Sequence, residues 1–293
     1  MKKGKTEKMN LGVRAHDLCS QAEISDFVST REKYGFSLIQ LVLPKARKDF
    51  SFDKGYLESL SSALDQKGIK VARLGAYFNP VHSDKDIVRK GIRNFKKRID
   101  IAPYFHHPLI GSETGSYSDS PWVYHPRNRT EEGYRKSKEV FLSLASYAKE
   151  KGESIAIEPA YGHVRYSVDV LKRLFDDLKR ENVYATIDLY NLLDVSNFSH
   201  RNEIFHEALS AFKEKVRIIH LKDGRIKEGK RIQVPPLKGE FDYPFRRREI
   251  KKYCKDATRI FEGVKAIDIL ESKKGIEDLW ENGGKSINLV FKN

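Results

Sequence analysis

Cysteine is nearly missing from this chain, with Cys19 and Cys254 the only two, far apart. Two distant thiols make no disulfide framework and lack the CxxC spacing of a thiolate zinc site. Thiols without a secretion signal fit the cytoplasm. Long apolar runs are also missing: none approaches the roughly 18 residues of a membrane helix. The opening MKKGKTEKMN is basic but has no apolar segment, so it is no signal peptide and reads as a flexible tail over 1–9. The glycine-rich turn GxGxxG of a dinucleotide fold does not occur. No linker rich in Pro, Gly or Ser divides the chain, which leaves one domain over 10–293.

What the chain has in excess is positive charge, 55 Lys and Arg against 41 Asp and Glu, a net charge of +14. Such an excess raises nucleic acid as a partner. The basic clusters RNFKKR at 93–98 and RRREIKK at 246–252 fall on helix-patterned segments, where they read as solvated faces. With no aromatic-interleaved basic stripe, the pattern argues against a nucleic-acid protein. An anionic small substrate, such as a sugar phosphate, is another reason for the excess.

Short β-rich runs alternate with helical patterns. The strands read as LGVRA (11–15), SLIQLVL (37–43), IKVARLGAYF (69–78), HHPLIGS (106–112), SIAIE (154–158), VYATID (183–188), VRIIH (216–220) and KAIDILE (265–271). Helical segments fall between them, at about 22–34, 56–68, 84–102, 130–152, 167–178, 201–215 and 243–254, with another at 275–281. Thr130 is placed to cap the fourth helix. Eight strands alternating with eight helices is the count of a (β/α)8 TIM barrel, an α/β fold in one domain.

In such a barrel the functional groups sit at the C-terminal ends of the strands. Strands five to eight end on Glu158, Asp188, His220 and Glu271. Three carboxylates and an imidazole on one rim suit one divalent ion, Mn²⁺, Mg²⁺, Co²⁺ or Zn²⁺, over copper or an iron–sulfur cluster.

NPVHSD, IGSETGS, IEPAYGH, IDLYNLLD, IHLKDG, KGEFDY and ILES, in this order over about 10–290, make the sequence resemble the sugar phosphate isomerase/epimerase group of xylose isomerase-like TIM barrels, ketose 3-epimerases included. The resemblance implies that Glu158, Asp188, His220 and Glu271 hold one divalent metal. It implies that Glu158 and Glu271 act as acid and base on opposite faces of a sugar carbon, through a cis-enediolate. The substrate would be a small-molecule sugar or sugar phosphate. Barrels of this group often pair, so a homo-oligomer is expected.

Six further positions stand as substrate contacts, each with a plainer alternative. His163, five residues past Glu158, either reaches the sugar or packs its loop. Glu113, Asn79 and His82 either line the mouth or bond their own loops. Arg225 either binds a phosphate or hydroxyl or is simply solvated. Asn191 stands where ketose 3-epimerases carry a histidine, which separates the chain from those enzymes. His16, Trp122 and Tyr124 are weaker candidates of the same kind, and Asp223 before Gly224 reads as a turn residue. His106 and His107 open strand four at the opposite, stabilising end. In KGEFDY, Leu237 precedes the motif where relatives have glycine, which predicts an altered loop path. Dehydration of a keto-inositol starts with the same proton abstraction and is the alternative. An apurinic endonuclease-like activity is the third, although its cluster of three zinc ions needs more His and Asp ligands.

Overall fold

The structure is a computed structural model that describes residues 9–120 and 123–282. The expected tail, apart from Met9, and Trp122 lie outside the described residues. Eight parallel strands close a barrel: β1 (Leu11–Arg14), β2 (Leu38–Leu41), β3 (Lys70–Gly75), β4 (Leu109–Glu113), β5 (Ile155–Glu158), β6 (Val183–Ile187), β7 (Val216–Leu221) and β10 (Thr258–Phe261). Each pairs with its neighbour in sequence order, and β10 closes the ring on β1 through Gly12↔Ile260. The two remaining strands, β8 (Asp223–Lys227) and β9 (Lys230–Val234), form an antiparallel hairpin above the rim.

Local chemistry explains the helices that wrap this ring. The helix Val168–Leu178 buries Val168, Leu171, Leu174 and Leu178, a spacing that lays one stripe against the barrel. Ser167 caps it by accepting from Val170 N at 3.4 Å. Thr130 caps the helix Glu131–Glu150, accepting from Gly133 N at 3.2 Å, as its sequence position predicts.

One strand assignment fails. KAIDILE is not a strand, since Ala266–Asn282 is one continuous helix. Ile269, Ser272, Ile276, Leu279 and Trp280 are buried on it, recurring at three- and four-residue intervals, which is a helical rather than an alternating pattern. The eighth strand is the shorter TRIF run before it. The loop after strand seven also carries structure: Glu228 and Gly229, with φ of 51° and 69°, make the two-residue turn that joins β8 to β9.

Candidate metal centre at the barrel mouth

Because all eight strands run the same way, their C-terminal ends share one rim. Glu158 ends β5, Asp188 follows β6, His220 is next to last in β7, and Glu262 follows β10. One donor atom from each lies within 4.8 Å of the others, and all four side chains are buried. His220 Nδ1 is the hub, 2.8 Å from Glu262 Oε2, 3.2 Å from Asp188 Oδ2 and 3.3 Å from Glu158 Oε1.

Glu271 is not in this group. It sits on the helix Ala266–Asn282 with its side chain 54% exposed and pairs with Lys238. Glu262 stands where Glu271 was expected, because the true eighth strand ends one residue before it. The signal was present in TRIFEG, a short β-rich run followed by Glu and Gly, the same beat as IAIEP.

Cations offset the three carboxylates. Arg73, fully buried on β3, donates from Nη1 to Glu158 Oε2 at 3.0 Å. Lys222 Nζ lies 2.7 Å from Asp188 Oδ2 and 3.3 Å from Glu262 Oε1. Arg14 Nη1 donates to Glu262 Oε1 at 2.6 Å. Burial alone would raise the carboxyl pKa values, but the charges outweigh it. His220 and Arg73 hold Glu158 below the usual range. Lys222 and His220 do so for Asp188, and His220, Lys222 and Arg14 hold Glu262 well below it. Glu113, the register neighbour of Glu158, goes the other way: burial first, then the charges of Glu158 and Glu262, raise it well above the usual range.

The imidazole is oriented from below. Gln40 Oε1 accepts from His220 Nε2 at 2.9 Å and from Arg73 Nη1 at 3.1 Å, while Gln40 Nε2 donates to Tyr77 OH at 3.0 Å. Burial opposes a charged imidazole, but Glu262 and Glu158 hold the His220 pKa well above its usual value, so in the ion-free site Nδ1 also carries a proton and donates to the carboxylates. With Gln40 keeping the proton on Nε2, Nδ1 is the nitrogen left for a metal once its own proton is lost. Gln40, Arg73 and Arg14 had no sequence signal beyond their places on β1–β3.

Two cavities flank the quartet. One of about 390 Å³ is lined by Arg14, Glu262 and Glu113, and also by His16, His82 and Asn79. Asn79 is committed to its loop, its Nδ2 donating to Ser116 O at 2.6 Å. His82 Nδ1 accepts from Asp84 N at 3.0 Å. The other cavity, about 520 Å³, is lined by His163, Tyr124 and Asn191 among others. Asn191 Nδ2 donates to Glu158 Oε1 at 3.0 Å, so it touches the quartet itself. Arg225 is exposed on β8 and lines neither cavity. Asp223 is a loop clasp: its Oδ1 accepts from Gly224 N at 2.7 Å and Phe241 N at 3.1 Å. His106 and His107 lie before β4, paired with Asp65 and Glu153, away from the mouth.

A closed eight-stranded barrel carries a buried Glu–Asp–His–Glu quartet at its rim that could hold a metal ion. The chain belongs to the xylose isomerase-like TIM barrel family, whose pattern matches residues 30–272. Among solved structures it is similar to a xylose isomerase-like TIM barrel protein from Mycobacterium smegmatis in complex with magnesium, at 16% identity and a TM-score of 0.73, covering 97% of this chain and 99% of that one. It is similar to 3-keto-D-glucoside 4-epimerase from E. coli, at 12% identity and 0.72, covering 92% and 99%. D-psicose 3-epimerase, solved in the presence of D-fructose, aligns at 14% identity and 0.70, covering 94% and 100%. At these identities the likeness shows the fold. No curated protein matches the chain in sequence.

Proposed function

We propose that the protein is a divalent-metal-dependent isomerase or epimerase of a sugar or sugar phosphate. The observation that carries this is the pair Glu158 and Glu262. Both are buried, both are held ionised, and they approach one imidazole from strands on opposite sides of β6 and β7. Glu158, Asp188, His220 and Glu262 would hold the metal, and three hard oxygens with one nitrogen suit Mn²⁺, Mg²⁺, Co²⁺ or Zn²⁺. When bound, the ion supplies positive charge against the oxyanion that develops on a carbonyl as the adjacent carbon loses its proton.

The chain's own groups account for the proton. A carboxylate within hydrogen-bond reach of a C–H beside a carbonyl can take that proton and leave an enediolate. One of Glu158 and Glu262 takes it. The other, once it has taken a proton from solvent, returns it to the far face of the same carbon and gives an epimer. A single base returning it to the adjacent carbon gives an aldose–ketose isomer. Asn191 on Glu158, and Lys222 on Asp188 and Glu262, fix the carboxylates in place. A nuclease centre of three ions has less support: among the described residues, this quartet is the one group of His, Cys, Asp and Glu placed to hold an ion.

Deuterium wash-in tests the proposal. The protein is incubated with Mn²⁺ in D₂O and a panel of ketoses, ketose phosphates and inososes, and the recovered compounds are weighed by mass spectrometry. Gain of one deuterium, lost in Glu158→Gln and Glu262→Gln, is expected. Loss of water from an inosose would instead assign a dehydratase. No exchange with a full equivalent of metal bound would remove the isomerase assignment.

A further inference from the structure

We propose that the 520 Å³ cavity beside the quartet is a phosphate subsite, so that the sugar taken by this site carries a phosphate ester remote from its reacting carbon. The proposal rests on the function proposed above and adds the class of substrate.

Arg129 is the first observation. Its guanidinium is stacked on three rings, 4.1 Å from the centroid of Tyr166, 5.1 Å from Tyr161 and 5.5 Å from Tyr124. Acids lie close by in sequence, but other cations take them. Glu131 is bound by Arg173 at 2.6 Å, and Glu132 by Arg127 and Lys136, both at 2.9 Å. Among the described residues Arg129 has neither an ion pair nor a hydrogen bond. A guanidinium positioned by aromatic faces, with its donor fork unspent, is the form in which arginine recognises phosphate.

Arg231 is the second. It comes from the hairpin strand β9, stacks 4.0 Å from the ring of Tyr190, and anchors through Nη1 to the carbonyl oxygens of Tyr190 and Leu193. No described carboxylate pairs with it either. Asp194 is the one acid on the cavity wall, and its side chain already accepts from the backbone of Asn197 in a capping box. The two arginines therefore leave this cavity net positive. The neighbouring cavity carries no such excess, with Arg14 and Lys45 set against Asp119 and Glu262, and with Glu113 pushed towards its neutral form. A dianion is favoured in the first over the second.

Placement connects the subsite to the chemistry. Asn191 is on the cavity wall and bonds Glu158 Oε1, so a single side chain lies between the cavity and the quartet. A substrate with its carbonyl at the quartet would lay its other end against Arg129.

The test separates binding from turnover. Inorganic phosphate is titrated calorimetrically into the metal-loaded wild type, Arg129→Gln and Arg129→Lys, with thermal melts confirming that each variant is folded. Millimolar binding by wild type, weakened roughly 10-fold or more in Arg129→Gln and partly kept in Arg129→Lys, is expected from the loss of charged hydrogen bonds. In the wash-in assay the KM for a ketose phosphate should rise in Arg129→Gln, and the preference over the parent ketose should fall. Undetectable phosphate binding by wild type, or equal binding by folded Arg129→Gln, overturns the subsite. Because phosphate binding needs no catalysis, a failure here is distinct from absence of exchange, which would overturn the isomerase assignment instead.

Discussion

His220 contacts three carboxylates through one nitrogen, and the other nitrogen decides what that one can offer. Gln40 Oε1 can only accept, so it fixes the proton on Nε2. Replacing Gln40 by leucine removes that acceptor and leaves Arg73 Nη1, 3.1 Å from Nε2, as a competing donor. Metal affinity should fall about 10- to 100-fold, as for other partners of metal-bound histidines. Gln40→Glu, which keeps an acceptor, should retain most of it. Competition against a chelating dye reads both; equal losses in the two variants would refute the role. A second pair of substitutions separates the two glutamates. Glu262→Gln should abolish stoichiometric metal binding and lower exchange about 10²- to 10⁴-fold, the range for a lost general acid or base. Glu271→Gln should leave exchange near wild type, since an exposed ion pair contributes about 0–1 kcal/mol. Three of the four quartet residues were legible because each follows an apolar run at a strand end. Glu262 was not, because KAIDILE is the longer run and has more aliphatic residues than TRIF, which drew the strand assignment away. Arg73 and Gln40 were illegible because the residues that explain their burial are remote in sequence.

Among the elements, strand alternation was legible wherever a strand was followed by a capped helix, as at Thr130. The β8–β9 hairpin was missed because its charged, half-exposed strands look like loop. Leu237, in the loop after it, has a φ of 71°, so it takes the conformation that glycine favours. Asp223 clasps this region, and burial pushes its carboxyl up to about 6, the opposing bonds from Gly224 and Phe241 notwithstanding. A carboxyl whose folded pKa is raised binds its proton more tightly when folded. Its contribution to stability therefore falls as pH climbs from about 4 to 6, and is level above that. Relative to Asp223→Asn, wild type should lose up to about 3 kcal/mol across that window; chemical denaturation at pH 4, 5, 6 and 7 measures it, and a difference independent of pH would contradict the assignment. On β4, Gly111 leaves room for a buried cation: a Cβ there would overlap Arg73 Nε and Nη2. Gly111→Ala should cost about 1–3 kcal/mol as an overpacked site and weaken metal binding by moving Arg73 off Glu158, which urea melts and metal titration would show together.

For the whole molecule, Arg73, Lys222 and Arg14 pair with the quartet, so the fold should not depend on a bound ion. Chelation should leave the circular dichroism of the fold intact. A ligand at about 100 times its Kd adds about 2.7 kcal/mol, so stripping it should lower Tm by roughly 5–10 °C, with recovery on adding Mn²⁺. Unfolding on chelation would show that the cations do not compensate. No described helix is long and apolar enough to cross a membrane.

Arg73 and its partner are far apart along the chain. Arg14, Gln40 and Arg73 come from β1, β2 and β3, whereas every carboxylate of the quartet lies at or beyond Glu158. A ribosome thus delivers the Arg73 guanidinium 85 residues before its counter-ion. Until β5 emerges, drying the interior of the early half would leave the Arg73 guanidinium without Glu158. Closure of a dry interior around Arg73 should therefore follow translation of Glu158.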